Sequence, residues 1–160
     1  MITAQELKGY KLFSGLTENE LSEIAKIARR TTCDRSSVIF NPETPSEEIF
    51  LVEGSNDAIQ IEIPLGPHEE KIVIHTLSKG ETFGWASLGS QHVKTATARC
   101  LEQTSIIAIN GKKLMQLLEM NNHMGYLVMK NLNDVINTRL AYTTVAFRHE
   151  IRKLKKIVAV

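Results

Sequence analysis

The first thirty residues place hydrophobic side chains on one face of an amphipathic helix. These positions recur three and four residues apart, at Leu21, Ile24, Ala25, Ile27 and Ala28. Thr17 and Glu20 match a capping box, in which the Thr17 hydroxyl accepts from the Glu20 amide and the Glu20 carboxylate reaches back. The pattern predicts a helix that begins after Thr17 and holds Arg29 and Arg30 in its last turn, where positive charge suits the helix dipole.

The pattern changes between residues 31 and 109, where short β-rich runs are separated by turn residues. Ile59, Ile61 and Ile63 alternate with polar residues, which is the period of a half-buried strand. A turn is predicted at residues 65–68. Strands are predicted at 38–40, 49–52, 59–63, 71–77, 95–100 and 105–109. So many short strands at regular intervals favour a sandwich, a barrel or a jelly roll.

The last third of the chain returns to a helical pattern. Asn110 is placed to cap a helix that Asn121 and Asn122 interrupt. The apolar face of that helix consists of Leu114, Leu117 and Leu118. Residues 126–160 contain neither glycine nor proline, so one long helix is predicted there.

These patterns together predict a single domain over residues 1–160, with a mainly β fold and flanking helices. The strand pattern leaves a sandwich, a barrel and a jelly roll open. The expected parts are an N-terminal helical part at 1–30, a β part at 31–109 and the C-terminal helices at 110–160.

Composition narrows the class of protein without naming a function. Hydrophobic residues make up 42% and the formal net charge is +1, so no global field attracts nucleic acid or an anionic membrane. The N-terminus lacks a signal-peptide pattern, and no apolar run is long enough to span a bilayer. We expect a cytoplasmic protein with no membrane contact, in which Cys33 and Cys100 are reduced thiols that fill space.

Enzyme signatures are weak. Neither a Walker-type phosphate loop nor a dinucleotide-binding glycine motif is present. Ser87 lies in Trp-Ala-Ser-Leu-Gly, which resembles half of a nucleophile elbow, so a hydrolase that uses Ser87 is kept as an alternative. We expect no catalytic residue and no cofactor. We also expect no metal, because none of the five histidines has the spacing of a metal site. They are His68, His75, His92, His123 and His149.

The most informative segment runs from residue 80 to residue 100. Gly84 allows a close backbone approach, and a short helical turn at 85–88 would present free amides to an anion. Lys94 and Thr95 would close over the same place with a charge and a hydroxyl. The alternative is a plain corner of the β-roll, in which Phe83 and Trp85 simply pack. These residues alone leave both interpretations open.

This segment resembles the phosphate-binding cassette of cyclic-nucleotide-binding domains, as found in bacterial catabolite-activator-type regulators. Three further motifs resemble that family: Leu-Phe-Ser-Gly-Leu-Thr at 12–17, Phe-Leu-Val-Glu-Gly at 50–54 and Leu-Ser-Lys-Gly-Glu-Thr-Phe-Gly at 77–84. A long trailing helix with Arg139 is also similar. The resemblance covers about residues 5–145 and implies a ligand-sensing regulatory module. It also implies a double-stranded β-helix, or jelly-roll-like β-roll, of about eight strands in two antiparallel sheets at 31–109. It implies a ligand site formed by Phe83, Gly84, Trp85, Ala86, Ser87, Lys94, Thr95 and Thr97.

Two positions depart from the family pattern. The family's glutamate, which holds the ribose 2′-hydroxyl, corresponds to Trp85, whose indole has one donor and no acceptor. The family's arginine, which binds the cyclic phosphate, corresponds to Lys94, which keeps the charge without the planar fork. We therefore expect cyclic AMP to bind poorly, and Lys94→Ala to weaken binding of any anion there by about 1.5–3 kcal/mol.

Three functional classes stay open: a cyclic-nucleotide binder that tolerates Trp85, a sensor of another small anion or of an aromatic ligand, and an interaction module whose pocket is filled by its own side chains. About twenty residues follow Arg139, too few for the helix-turn-helix domain of related regulators, so direct sequence-specific DNA binding is not expected. A regulatory protein partner is compatible with each class.

A heptad-like stripe predicts a homodimer through residues 126–158. Its members are Leu140, Thr144, Phe147, Ile151, Leu154 and Val158. The resemblance also implies a parallel dimer along this helix, with interface residues Leu140, Phe147, Ile151 and Leu154. The alternative is that the helix packs this stripe onto its own β-roll.

Overall fold

The computed structural model describes residues 1–66, 70–90 and 92–158, with only the backbone at 157 and 158. The predicted turn at 65–68 and the position of His68 therefore lie partly or wholly outside the described residues. The helices are α1 (Ala4–Leu7), α2 (Glu18–Lys26), α3 (Gly111–Met120) and α4 (Asn122–Val158), with 3-10 turns at Lys11–Phe13 and Trp85–Leu88.

Eight strands of the described chain form two four-stranded antiparallel sheets. They are β1 (Ala28–Cys33), β2 (Val38–Phe40), β3 (Glu48–Val52), β4 (Ile59–Pro64), β5 (Lys71–Leu77), β6 (Thr82–Phe83), β7 (Thr97–Cys100) and β8 (Thr104–Asn110). The strand orders are β1-β8-β3-β6 and β2-β7-β4-β5. The predicted jelly-roll-like β-roll with flanking helices is confirmed.

Strand β3 of the first sheet is buried on both of its faces, and its successive side chains point in opposite directions. In β3, Ile49 and Leu51 join a core with the helices, whereas Phe50 and Val52 join a core with the second sheet. Burial on both faces explains why 49–52 is a continuous apolar run rather than an alternating one. Cys100 lies in the core between the sheets and Cys33 packs against that core, both as free thiols.

The prediction that Arg29 and Arg30 end a helix is wrong. Helix α2 ends at Lys26, and both arginines lie in β1, whose Ala28 pairs with Ile109 of β8. The Arg29 guanidinium binds the Glu48 carboxylate at 2.9 Å. Arg30 binds the carboxylate of Glu53, which directly follows β3, at 2.5 Å. Pairing with a strand far along the chain outweighs the local helical spacing, so the β-roll begins at residue 28 and not at 31.

The predicted helix caps are confirmed. The Thr17 hydroxyl accepts from the Glu20 amide at 3.3 Å, and the Glu20 carboxylate accepts from the Thr17 amide at 2.8 Å. The Asn110 side chain accepts from the Lys113 amide at 2.9 Å and so begins α3. Asn121 ends α3, and its side chain accepts from the Met124 amide at 3.1 Å, which starts α4.

Helix α4 is attached to the N-terminal part and to the β-roll along its first two thirds. The Asn131 amide donates to the backbone carbonyls of Leu12 and Ser14 at 3.1 and 2.9 Å. Further along, Tyr142 stacks on His75 of β5 with ring centroids 4.4 Å apart. The helix therefore lies against the turn before α2 and against the second sheet. None of the described helices is long and apolar enough to cross a membrane.

Candidate functional site

A cavity of about 210 Å³ lies where the β-roll meets α4. Its walls come from β2, β4, β5 and β6, from the turn after β6, from the segment before β7 and from α4. The residues lining it are Phe40, Ile61, Ile63, Ile74, Phe83, Gly84, Trp85, Ala86, Lys94, Thr95, Ala96, Arg139 and Thr143.

The turn that forms one wall begins at Gly84, which adopts a left-handed conformation with φ of +75°. A side chain at this position would meet three atoms at once. An added Cβ would lie 2.9 Å from the Lys94 ammonium, 2.9 Å from the Phe50 ring and 3.3 Å from the Glu48 carbonyl. The backbone angle and the lack of room for a Cβ therefore both require glycine here. This agrees with the close backbone approach that the sequence predicts at Gly84.

Lys94 enters the cavity wall as a buried cation. Its ammonium donates to the carbonyl of Gly84 at 2.8 Å and to that of Glu48 at 3.0 Å. The same nitrogen lies 4.6 Å from the centroid of the Phe40 ring, within range of a cation–π contact. Burial lowers the pKa of Lys94 to about 8, although the Glu48 carboxylate favours the charged form. The ammonium thus binds two carbonyls of its own chain.

Trp85 is half-buried at the start of the 3-10 turn and faces the cavity. The indole also packs against the core formed by the helices and the first sheet. The guanidinium carbon of Arg139 lies 5.6 Å from the centroid of the ring, so the two side chains are in cation–π range. Trp85 therefore connects the turn to α4 where the family pattern has a ribose-binding carboxylate.

Arg139 of α4 is the second buried cation of the cavity, with 8% of the residue exposed. Its Nη2 lies 3.5 Å from Oε1 of Glu81, a long distance for an ion pair. Its Nη1 is buried and has no hydrogen-bond partner among the described residues. Burial lowers the pKa of the guanidinium, and the carboxylate of Glu81 acts in the opposite direction.

Glu81 ties this region to β5. Its carboxylate oxygens lie 3.0 and 3.1 Å from Nε2 of His75, and one of them accepts from the Ser78 amide at 2.6 Å. His75 in turn stacks on Tyr142 of α4. Because Glu81 is already engaged by two groups, it gives Arg139 only partial compensation for burial.

Six of the eight predicted ligand-site residues meet at the cavity: Phe83, Gly84, Trp85, Ala86, Lys94 and Thr95. Ser87 is 2% exposed, does not line the cavity, and its hydroxyl donates to the Gly84 carbonyl at 3.4 Å. Thr97 is buried in β7, opposite Glu62 of β4. No histidine or carboxylate in the described part of the chain forms a hydrogen bond to Ser87.

The rest of the lining was not predicted. Arg139 and Thr143 come from α4, and the other missed residues are Phe40, Ile61, Ile63, Ile74 and Ala96. The period-two pattern of β4 showed that Ile61 and Ile63 share a face, but the sequence did not show that this face borders a cavity. Arg139 belongs to the helix that resembles the family's long helix, but nothing local in the sequence indicates that its side chain turns inwards.

The cavity has an apolar and cationic character. Two cations, Lys94 and Arg139, and no carboxylate are found among its described lining residues. Over residues 1–66, 70–90 and 92–158, no cluster of three metal-ligating side chains occurs. Two cations in an apolar wall are groups that suit the binding of an anion.

Comparisons with known proteins agree with this geometry. A solved structure described as a cyclic nucleotide-binding protein of Geobacter metallireducens GS-15 superposes with a TM-score of 0.75 at 25% identity, covering 88% of this chain and 99% of that one. The catabolite activator protein of Thermus thermophilus gives a TM-score of 0.68 at 21% identity, covering 91% of this chain and 63% of that one. At this identity the second likeness shows the fold alone.

A curated relative is assigned as a potassium channel protein of Rhodopseudomonas palustris. It is 24% identical over 129 residues, which are 80% of this chain and 29% of the relative. The chain thus spans less than a third of that relative's length. The family model of the cyclic nucleotide-binding domain matches residues 30–121, more than half of the chain. This protein therefore belongs to the cyclic nucleotide-binding domain family.

Proposed function

We propose that this protein is a ligand-sensing regulatory module that binds a cyclic nucleotide or another small anion in the β-roll cavity and signals through α4. The family supports the regulatory class, and the two buried cations support an anionic ligand. The site proposed for the ligand comprises the six predicted residues at the cavity together with Arg139 and Thr143 of α4.

The observation that carries this proposal is the position of α4 in the cavity wall. Arg139 and Thr143 line the same space as Gly84 and Trp85 of the turn. A ligand in that space contacts the turn and the helix together, so it favours whichever arrangement of α4 offers it better contacts. The helix would then carry the change in population to a partner or to a second copy of the chain.

The departures from the family pattern make cyclic AMP a poor candidate for the ligand. The indole of Trp85 cannot accept from a ribose hydroxyl. The ammonium of Lys94 would have to leave the carbonyls of Gly84 and Glu48, or share its protons, in order to hold a cyclic phosphate. We expect cyclic AMP to bind with a dissociation constant well above micromolar, or not to bind at all.

Fluorescence of Trp85, the only tryptophan in the chain, tests the proposal. The protein is titrated with cyclic AMP, cyclic GMP, other nucleotides, organic phosphates and organic carboxylates. At least one anion should give a saturable change in emission, because Trp85 faces the cavity. Calorimetry with Trp85→Glu should show tighter cyclic AMP binding than the wild type, with Trp85→Phe as the control without an added acceptor. No saturable response to any anion, or tight binding of cyclic AMP to the wild type, would contradict this.

We also propose a homodimer through α4. Leu140, Ile151 and Leu154 are 62, 53 and 61% exposed, and Phe147 is 36% exposed. This exposure supports an interface with a second copy over packing of the stripe onto its own β-roll, because Arg139, Thr143 and Ala146 occupy the face of α4 towards the roll. The side chain of the last stripe residue, Val158, lies outside the described set. Across a two-fold axis, each stripe would cover its copy.

The second candidate is an interaction module with a self-filled pocket. Its support is Lys94, whose ammonium already bonds to two carbonyls of the chain at the place where the family holds a phosphate. In that case no anion would bind, and α4 would carry a constitutive interface. The same fluorescence titration separates the two candidates.

A further inference from the structure

The cavity contains an arginine whose guanidinium has a free donor. Arg139 is more than nine-tenths buried, its Nη1 is unpartnered among the described residues, and its Nη2 has only the 3.5 Å contact to Glu81. A buried donor without an acceptor carries a desolvation cost, and a charged one carries more. An acceptor brought by a ligand would remove that cost.

Lys94 and Arg139 are not equivalent as receptors for an anion. Two protons of the Lys94 ammonium are directed to carbonyls at 2.8 and 3.0 Å, and the Phe40 ring lies beside it. Nη1 of Arg139 has no partner among the described residues, and a guanidinium binds a carboxylate in a planar, two-bonded geometry. Of the two cations, Arg139 is therefore the one with a donor left for an anionic group.

The rest of the cavity limits what the anion can be attached to. At about 210 Å³, it is smaller than the roughly 300–1,000 Å³ of pockets that take drug-sized ligands. Aliphatic and aromatic side chains dominate its walls, and Thr95 and Thr143 are its only hydroxyl-bearing residues in the described lining. A sugar in such a space would leave several hydroxyls without partners, whereas a flat apolar ring would not.

We propose that this site takes a small aromatic carboxylate, with the carboxylate on Arg139 and the ring against the apolar wall. The proposal rests on the sensing function proposed above and names its ligand class. A carboxylate on Nη1 would also compete with Glu81 for the guanidinium. Binding would thereby change the contact between α4 and the Glu81–His75 pair, which is a route by which the ligand reaches the helix.

Calorimetry on the full chain with matched probes tests this. Phenylacetate is compared with phenylacetamide, which has the same ring without the charge, and with acetate and inorganic phosphate, which have charge without a ring. Phenylacetate should bind about tenfold or more tightly than each of the three, as expected from loss of one charged hydrogen bond or of the ring's burial. An amide that binds as tightly as the acid would overturn the proposal.

Variants then locate the receptor. Arg139→Gln should weaken phenylacetate binding about tenfold or more, whereas Arg148→Gln, at an exposed position of the same helix, should leave it unchanged. Equal affinity of Arg139→Gln and wild type would overturn the assignment. If Arg139→Gln does not fold, as judged by circular dichroism, the comparison of acid and amide on the wild type decides alone.

The outcomes also separate this inference from the proposed function. Nucleotides that bind while the aromatic acid does not would leave the sensing function standing and overturn the ligand class. Absence of binding by nucleotides, organic phosphates and aromatic acids alike would overturn both.

Discussion

Lys94 shows how the surroundings of one residue alter the meaning of a motif. Only 4% of the residue is exposed, and its ammonium bonds to the carbonyls of Gly84 and Glu48 rather than to carboxylates. Carbonyl dipoles and aromatic faces stabilise an ammonium less than water does, so burial lowers its pKa to about 8. The protonated residue therefore reduces stability at neutral pH.

This predicts a specific dependence of stability on pH. Between about pH 8 and pH 10.5 the unfolded chain keeps a proton on Lys94 that the folded chain releases, so the free energy of unfolding rises with pH in this window. In urea denaturation, the free energy of unfolding of the wild type should rise across this pH window by about 3 kcal/mol relative to that of Lys94→Met. Lys79→Met, at an exposed lysine, should keep the slope of the wild type. Parallel curves for wild type and Lys94→Met would contradict the burial of the charge.

At the scale of elements, the 3-10 turn Trp85–Leu88 depends on the residue that precedes it. Gly84 gives the chain its left-handed step and brings the turn against Lys94 and Phe50. Gly80, only four residues earlier, has a similar φ of +88° but open space around a would-be side chain. The two glycines therefore separate backbone strain from steric contact.

Gly84→Ala and Gly80→Ala form a matched pair. Both substitutions place a Cβ in the left-handed region, at a cost of about 1–2 kcal/mol. Gly84→Ala additionally places its Cβ 2.9 Å from Lys94 and Phe50. The free energy of unfolding of this variant should therefore fall by a further amount of about 1–3 kcal/mol. Urea midpoints of the two variants measure the difference. Equal losses would show that the wall around Gly84 yields freely.

At the scale of the whole molecule, α4 has two different faces. One holds Arg139, Thr143 and Ala146 against the β-roll, and the other exposes the stripe that includes Leu140 and Phe147. The stripe continues towards the start of the helix through Ile136 and Met129, which are 38 and 43% exposed. If a ligand in the cavity repositions α4, the exposed stripe moves with the helix. The change would thus reach a surface that is suited to a second copy of the chain.

Light scattering tests the dimer. The wild type at tens of micromolar should have twice the mass of the chain, and Leu140→Asp combined with Phe147→Asp should be monomeric, because two carboxylates would be buried in the seam. Val145→Asp with His149→Asp, at exposed positions of α4 off the stripe, is the matched control and should stay dimeric. A monomeric wild type, or a double stripe variant that stays dimeric, would refute the interface.

The sequence by itself determined the features that depend on neighbours within a few residues. The capping box at Thr17, the N-cap at Asn110, the break at Asn121 and most strands follow from side-chain periods and local hydrogen bonds. The glycine at 84 likewise indicated a close backbone approach, and the heptad spacing of α4 indicated a second apolar face. Motifs of this kind also carried the resemblance to the family.

Only the tertiary structure decided which groups from distant parts of the chain meet. Arg29 and Arg30 became strand residues because β8 pairs with them, and Lys94 bonds to the Glu48 carbonyl across 46 residues. The placement of Arg139 beside Trp85, with one nitrogen left unpartnered among the described residues, depends on how α4 docks on the roll. Local periodicity encodes which face of an element is apolar, but the partner of a buried charge is fixed only when whole elements pack.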